Sequence, residues 1–344
     1  MVFPSDASPA AQHPITVATA GEALMDMIQE ADGRLRPCDG GAVYNLTRAL
    51  GLQGVGTLYL NPLSQDRFGR GLARAIACAG VTLAHTEPAH EPTSLAVVSL
   101  DDAGKASYSF YREGVADRRV DAATMTAQCT AQPALKMVVT GCLALVANDT
   151  HKYLPWLQAQ RAAGRLVVVD ANLRPAIVPD MAAYQTSVMA ALREADLIKV
   201  SDDDLQLLGF TDTDPVAGAR ALLAQTPARW LALTLGAQGA VFLVRDGGTW
   251  QAAESQPVTV ADTVGAGDCF LAGLLAALLE RPGVQAAPNA AGLRLDADDV
   301  QAVLDHAIAS ASLCVQQTGC QPPTRQQVLQ RLQQGRPRPV SAPA

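Results

Sequence analysis

From residue 136 to residue 236 apolar runs alternate with longer amphipathic stretches: KMVVTGC, HKYLPWLQAQRAAG, RLVVVDAN, YQTSVMAALREA, DLIKVSDDD, ARALLAQTP and WLALTLG. Strands that are apolar throughout must be covered on both faces, and a helix between consecutive strands makes them parallel. The alternation therefore predicts an α/β fold, a mainly parallel sheet between two helical layers. ITVATAGEALMDMI reads as a first strand of that sheet.

The stretch 93–112 breaks the pattern, because TSLAVVSL and KASYSFYR flank the turn signal DDAG and so read as a hairpin. LMDMIQEADGRLRP also reads strand, turn, strand. Together these pieces predict a small second sheet, a lid over the carboxyl ends of the parallel strands. One domain is expected over residues 14–330, with lid strands from about 23–37 and 93–113. Residues 281–296 read as a loop between helices, and residues 1–13 and 335–344, rich in Pro, Ala and Ser, as flexible tails.

Bulk properties exclude several classes. A net charge of −7 and the absence of any Lys/Arg run argue against a nucleic-acid partner. The longest apolar stretch, Cys269 to Leu279, is far short of the ~20 residues of a membrane span, and the N-terminus lacks a signal-peptide layout. A soluble, cytoplasmic protein is expected. Seven cysteines are scattered without a CxxC pair, which predicts reduced thiols and no zinc site, and five dispersed histidines give no metal cluster.

The stretch with the sharpest chemistry is DTVGAGDCF at 262–270, followed by LAGLLAALL. Gly265, Ala266 and Gly267 scarcely shield their amides, and a helix starting there adds the positive end of its dipole. The outline is an anion cradle. Asp268 in the first turn is either a helix cap or a carboxylate aimed at the anion. An acid beside an anion site repels a phosphate unless it serves as base for an attacking hydroxyl, so the combination points to phosphoryl transfer.

DTVGAGDCFLAGL resembles the C-terminal signature of the ribokinase-like (PfkB) carbohydrate kinases, and GGAVYNLTRALG at 40–51 resembles their N-terminal signature. GEALMD at 21–26 is similar to the family's opening motif, FYREGVADR and VDANLRP to motifs of bacterial fructokinases, and TLGAQGA to the nucleotide-site strand and turn. The resemblance covers roughly residues 15–325 and implies a three-layer αβα domain with a β-sheet lid.

It further implies ATP as phosphoryl donor, Mg2+, and a K+ site at Asp262 with carbonyls near TGCQPP. Asp268 becomes the base, with Gly265, Ala266, Gly267 and Arg174 assisting transfer. Asp26, Gly40, Gly41, Asn45, Tyr111 and Arg112 face the sugar. Lys199, Ser201, Thr234, Gly236 and Gly239 join Gly265 and Gly267 at the nucleotide. Ser201 and Asp204 stand where the family carries Asn-x-x-Glu, which leaves Asp204 a water-mediated contact to magnesium. Thr263 is open to a role as N-cap, and Lys199 to pairing with nearby acids. The resemblance also implies a homodimer formed through the lid.

The substrate implied is a sugar phosphorylated at a primary hydroxyl, fructose first. Arg112 and Arg174 suit either a sugar or a carboxylate, so a 2-keto-3-deoxygluconate kinase, or another sugar or nucleoside kinase of the same family, is the alternative. A sensor on the same fold is disfavoured by the intact Asp268 and its cradle. A dinucleotide oxidoreductase is disfavoured because no GxGxxG follows the first strand.

Overall fold

The computed structural model describes residues 13–30, 32–100, 106–211, 214–286 and 295–340. The expected DDAG turn, residues 1–12 and 341–344 of the expected tails, and residues 287–294 of the expected loop lie outside the described residues.

The first half of the chain contributes β1 (Val17–Thr19), β2 (Leu24–Gln29), β3 (Leu35–Gly40), α1 (Ala42–Leu52), β4 (Thr57–Tyr59), α2 (Arg67–Cys78), β5 (Thr82–Leu83), β6 (Ser94–Leu100), β7 (Ala106–Tyr111) and α3 (Ala122–Thr130). The alternating region follows as β8 (Met137–Gly141), α4 (Thr150–Ala162), β9 (Leu166–Asp170), α5 (Met181–Leu192), β10 (Leu197–Ser201), α6 (Asp202–Leu207), α7 (Pro215–Ala224) and β11 (Trp230–Thr234). The chain closes with β12 (Ala240–Val244), β13 (Thr249–Ala253), α8 (Ala266–Leu279), α9 (Pro282–Ala286), α10 (Ala297–Cys314), α11 (Arg325–Gln334) and β14 (Arg338–Pro339).

Ten strands form the main sheet in the order β14-β13-β12-β11-β10-β9-β8-β1-β4-β5. From β5 to β11 every pairing is parallel; β12, β13 and β14 extend the edge antiparallel. Alternate residues of a strand serve opposite faces. Val138, Val167, Val169 and Leu231 pack with α4, α5 and α7, while Met137, Val139, Val168 and Trp230 pack with α1, α8 and α10. Two buried faces explain why these strands carry no polar alternation.

Helix α8 is apolar all round because it is sandwiched between the sheet, α1 and α10, with every residue from Asp268 to Leu278 buried. Each leucine it buries stabilises the fold by about 1.5–3 kcal/mol, which fixes the helix firmly. Asp268 is the acid in its first turn.

The lid is a separate four-stranded sheet, β3-β2-β6-β7. Within it β2 pairs antiparallel with β3 and parallel with β6, and β6 pairs antiparallel with β7. The expected first strand is in fact two, β1 in the main sheet and β2 in the lid. Side chains end the first ladder: the Gly21 N–H donates to Asn61 Oδ1 at 2.8 Å and the Gly21 carbonyl accepts from the Tyr59 hydroxyl at 2.8 Å. With both backbone groups so engaged, the chain leaves the main sheet.

Two further expectations need correction. Residues 335–340 do not behave as a tail throughout, since Ala252 and Ala253 pair with Pro339 and Arg338 at the sheet edge. The expected loop after α8 begins with a short helix, Pro282–Ala286, where proline opens the first turn.

Candidate active site

A cavity of about 320 Å³ lies between the main sheet and the lid, where the chain leaves the carboxyl ends of the parallel strands. Its floor is the start of α8. Gly265 is the residue before that helix, at φ +77°, in the left-handed region that favours glycine. A Cβ there would lie 2.2 Å from Cys320 Sγ, so the turn tolerates no side chain. No side chain caps α8, and helix geometry leaves the first-turn amides of Gly267 and Asp268 without partners inside the helix.

Asp268 therefore is not the cap of its helix, and neither is Thr263. The Asp268 carboxylate turns toward α1, where Asn45 Nδ2 donates to Oδ2 at 3.1 Å. Burial raises its pKa to about 7, aided by the charge of Asp170 and opposed by the Asn45 hydrogen bond, Lys199 and Arg174. A carboxylate that titrates near neutrality exchanges protons readily with an alcohol engaged in reaction.

Positive charge sits on two sides of the cradle. Lys199 Nζ lies behind it, 3.1 Å from where a Cβ on Gly267 would be, and is paired with Asp170 at 3.1 Å, both residues buried. Burial opposes the Lys199 charge, but Asp170 and Asp204 outweigh it and keep the ammonium pKa raised. Burial pushes the Asp170 pKa up to about 6 against the pull of Lys199. Arg174 lines the front of the cavity, and its charge lowers the pKa of Asp26, Asp170 and Asp268 alike.

Acceptors crowd the lid side. Asp26 on β2 faces the cavity, its pKa raised by burial to about 6. Gly40 lets it in: a Cβ there would stand 2.2 Å from Asp26 Oδ2. Gly41 precedes α1 as its N-cap and lines the same wall. Asn45 Oδ1 is buried without a hydrogen-bond partner.

Glu22 was not singled out from sequence. Its Oε1 accepts from the Ala42 N–H at 2.8 Å, its Oε2 is buried without a partner, and burial raises its pKa. The signal lay three residues after Thr19, where the strand expected to run on ends, inside GEALMD. Asp170 was also passed over, although it ends an apolar strand beside the cradle. Apolar lid residues Ile28, Val98 and Phe110 complete the enclosure.

The model of the pfkB family carbohydrate kinases matches residues 16–327. The chain belongs to this family. A fructokinase of Rhizobium leguminosarum bv. trifolii is 30% identical over 266 residues, covering 76% of this chain and 79% of the relative. Among solved structures, a fructokinase with bound ATP from Xylella fastidiosa matches with a TM-score of 0.77 and 25% identity, over 93% of this chain and 98% of that one. A double mutant of Vibrio cholerae fructokinase bound to fructose, ADP and potassium ion shares the fold, with a TM-score of 0.72 and 23% identity over 90% of this chain and 95% of that one.

In this pfkB kinase several residues expected at the site lie apart from the cavity. Arg112 is buried in an ion pair with Asp117 at 3.3 Å, and its other contact is the Leu143 carbonyl at 3.5 Å. Asp117 also accepts a hydrogen bond from the Ser94 hydroxyl at the start of β6, so Arg112 braces the base of the lid. Tyr111, 61% exposed, and Arg112 line a second cavity on the other side of the lid strand, of about 690 Å³.

On the nucleotide side, Ser201 caps α6 in a capping box with Asp204. Asp204 is buried and bonded to the backbone through both oxygens: Oδ1 accepts from Leu173 N–H at 2.7 Å and Oδ2 from Ser201 N–H at 2.8 Å. That carboxylate ties the irregular segment after β9 to the first turn of α6. Thr234, at the end of β11, donates to the Val200 carbonyl at 3.4 Å, and Gly236 and Gly239 shape the turn into β12. These three line neither cavity. Asp262 braces the cradle, accepting from Val264 N–H at 3.0 Å and Gly319 N–H at 2.8 Å.

Among the described residues no helix is long and apolar enough to cross a membrane.

Proposed function

We propose that this carbohydrate kinase transfers the γ-phosphate of ATP to the primary hydroxyl of fructose, giving fructose 6-phosphate. The observation that carries the reading is the buried Asp268 carboxylate, held by Asn45 beside an uncapped helix start. The hydroxyl approaches between Asp268 and the cradle. Its oxygen bonds to phosphorus as the bond from phosphorus to the bridging oxygen of ADP breaks, and its proton passes to Asp268 late in that step.

Amides of the first turn of α8, the helix dipole, Lys199 and Arg174 offset the charge that develops on the transferred group. Magnesium would offset the charge of the nucleotide phosphates and would keep its own waters; Asp204, buried and bonded to a backbone N–H through each oxygen, would reach it through water. Asp262 also carries one backbone hydrogen bond on each oxygen, but unlike the buried Asp204 it is half-exposed, and it fits a monovalent cation.

A neutral polyol is favoured over an acid sugar by the charge of the cavity. Among the described lining residues, Glu22, Asp26, Asp39, Asp262 and Asp268 face the cation Arg174, with Lys199 behind the cradle paired to Asp170 and Arg112 spent on Asp117. A substrate carboxylate would meet repulsion on most sides, whereas hydroxyls donate to the free acceptors Asn45 Oδ1 and Glu22 Oε2. The kinship with fructokinases supports the same choice. ATP consumption measured with fructose, ribose, 2-keto-3-deoxygluconate, adenosine and inosine is the test; turnover on the keto acid alone would overturn fructose while leaving the base in place.

A further inference from the structure

Three cysteines that are far apart in sequence converge behind the cradle. The Sγ atoms of Cys269, Cys314 and Cys320 lie within 4.8 Å of one another, and all three residues are buried free thiols. They come from three separate elements: the first turn of α8, the last residue of α10 and the loop before α11. Cys314 also donates weakly to the Val264 carbonyl at 3.7 Å.

As core packing, three small apolar side chains need no mutual contact of their sulfurs. As ligands they need just that. With no pair of sulfurs more than 4.8 Å apart, a point exists within about 2.8 Å of all three, close to the ~2.3 Å of a zinc–thiolate bond. A modest inward movement of the side chains completes a three-sulfur shell. Thiolates select soft d10 cations such as Zn2+, Cd2+ or Cu+ over Mg2+ or K+. A metal site also needs an entry path, and Cys320 lines the main cavity.

We propose that Cys269, Cys314 and Cys320 form a trithiolate site for one soft cation, reached through the cavity, and that filling it slows phosphoryl transfer. Each thiol releases its proton to solvent as the sulfur–metal bond forms, with no change of oxidation state. The coupling is mechanical. Cys269 directly follows Asp268, and the Cys320 sulfur abuts Gly265, so drawing both sulfurs onto one ion displaces the two ends of the cradle. Binding needs no assumption about the reaction; the effect on turnover rests on Asp268 and its cradle being the reacting centre.

Cadmium titrated into the full-length protein, reduced with a phosphine, is the probe. One equivalent is expected to give sulfur-to-cadmium charge-transfer absorption, and X-ray absorption of the loaded protein to show three sulfur neighbours. The exposed Cys78→Ser variant should bind equally well, and Cys314→Ser at least tenfold more weakly. Turnover in excess Mg2+ should fall with cadmium in wild type and resist it in Cys314→Ser.

Fewer than three sulfur neighbours, or undiminished affinity in a folded Cys314→Ser protein, would overturn the site. Full turnover with the site saturated would overturn the coupling. Should Cys314→Ser fail to fold, the sulfur count in the wild-type spectrum still decides the assignment.

Discussion

Asn45 Nδ2 donates to Asp268 Oδ2 at 3.1 Å, tying α1 to α8 across 223 residues of sequence. The bond orients the acid away from its own helix and toward the cavity, and it leaves the opposite face of the amide to accept. It also pulls the Asp268 pKa down against burial, so on the proposed reading the position of Asn45 bears on both substrate contact and proton transfer.

Asp268→Asn removes the base with little change in shape. We expect kcat to fall by about 10²–10⁴ with KM for sugar and ATP changed much less, as measured by ADP release. A variant retaining near wild-type turnover would show that another group takes the proton.

The pH profile carries a second expectation. With Asp268 raised to about 7, kcat should climb roughly tenfold per pH unit below that value and level off above it. Asn45→Ala removes a hydrogen bond that favours the charged form, moving this limb to higher pH. Asp170→Asn removes a repelling charge and frees Lys199 to act on Asp268, moving it to lower pH. Limbs that stay put in both variants would assign the titration elsewhere.

The same shift affects stability with a definite sign. The folded pKa of Asp268, about 7, lies above its ordinary 3.8, so the native state holds the proton longer and stability drops as pH rises between those values. Asp268→Asn should therefore stabilise the protein at pH 8, on the order of a few kcal/mol, with the gain fading toward pH 4. Urea unfolding at the two pH values measures it; equal gains at both would contradict the buried-acid account.

Asp26→Ala should raise the KM for sugar by tenfold or more while the KM for ATP stays within about twofold, a loss in the range of one or two hydrogen bonds. Gly40→Ala is expected to shift the sugar KM in the same direction, because its methyl group meets the Asp26 carboxylate. Steady-state kinetics with each substrate varied in turn distinguish this from a general loss of activity, and an unaffected sugar KM in Asp26→Ala would remove β2 from the sugar site.

Gly265→Val places a branched side chain at φ +77° and against Cys320. We expect kcat to drop at least a hundredfold, with folding retained as judged by circular dichroism. Unimpaired phosphoryl transfer in that protein would speak against the cradle.

Much of this arrangement was legible from residue order because its cause is local. Gly265, Ala266 and Gly267 ahead of an apolar run declare a helix start whose amides are bare, and the alternation from Met137 to Thr234 declares a doubly covered parallel sheet. What escaped depends on contacts between distant segments. The strand break at Gly21 is made by Asn61 and Tyr59, the withdrawal of Arg112 by Asp117, and the pairing of Arg338 and Pro339 by β13. Cysteines spaced as widely as Cys269 and Cys314 give no pattern in one dimension. Glu22 hid for a simpler reason: it lay inside a segment that read as uninterrupted strand.

The division of the strands into two sheets has a consequence for how such an enzyme changes. Asp268 and its cradle belong to α8, locked between sheet and helices, whereas Asp26 belongs to a smaller, separate sheet. On the proposed reading, part of the sugar site, Asp26, is thus carried by a different sheet from the helix that carries the proposed base. A library confined to β2, β3, β6 and β7 would vary the lid-side acceptors while leaving the sequence of α8 unchanged.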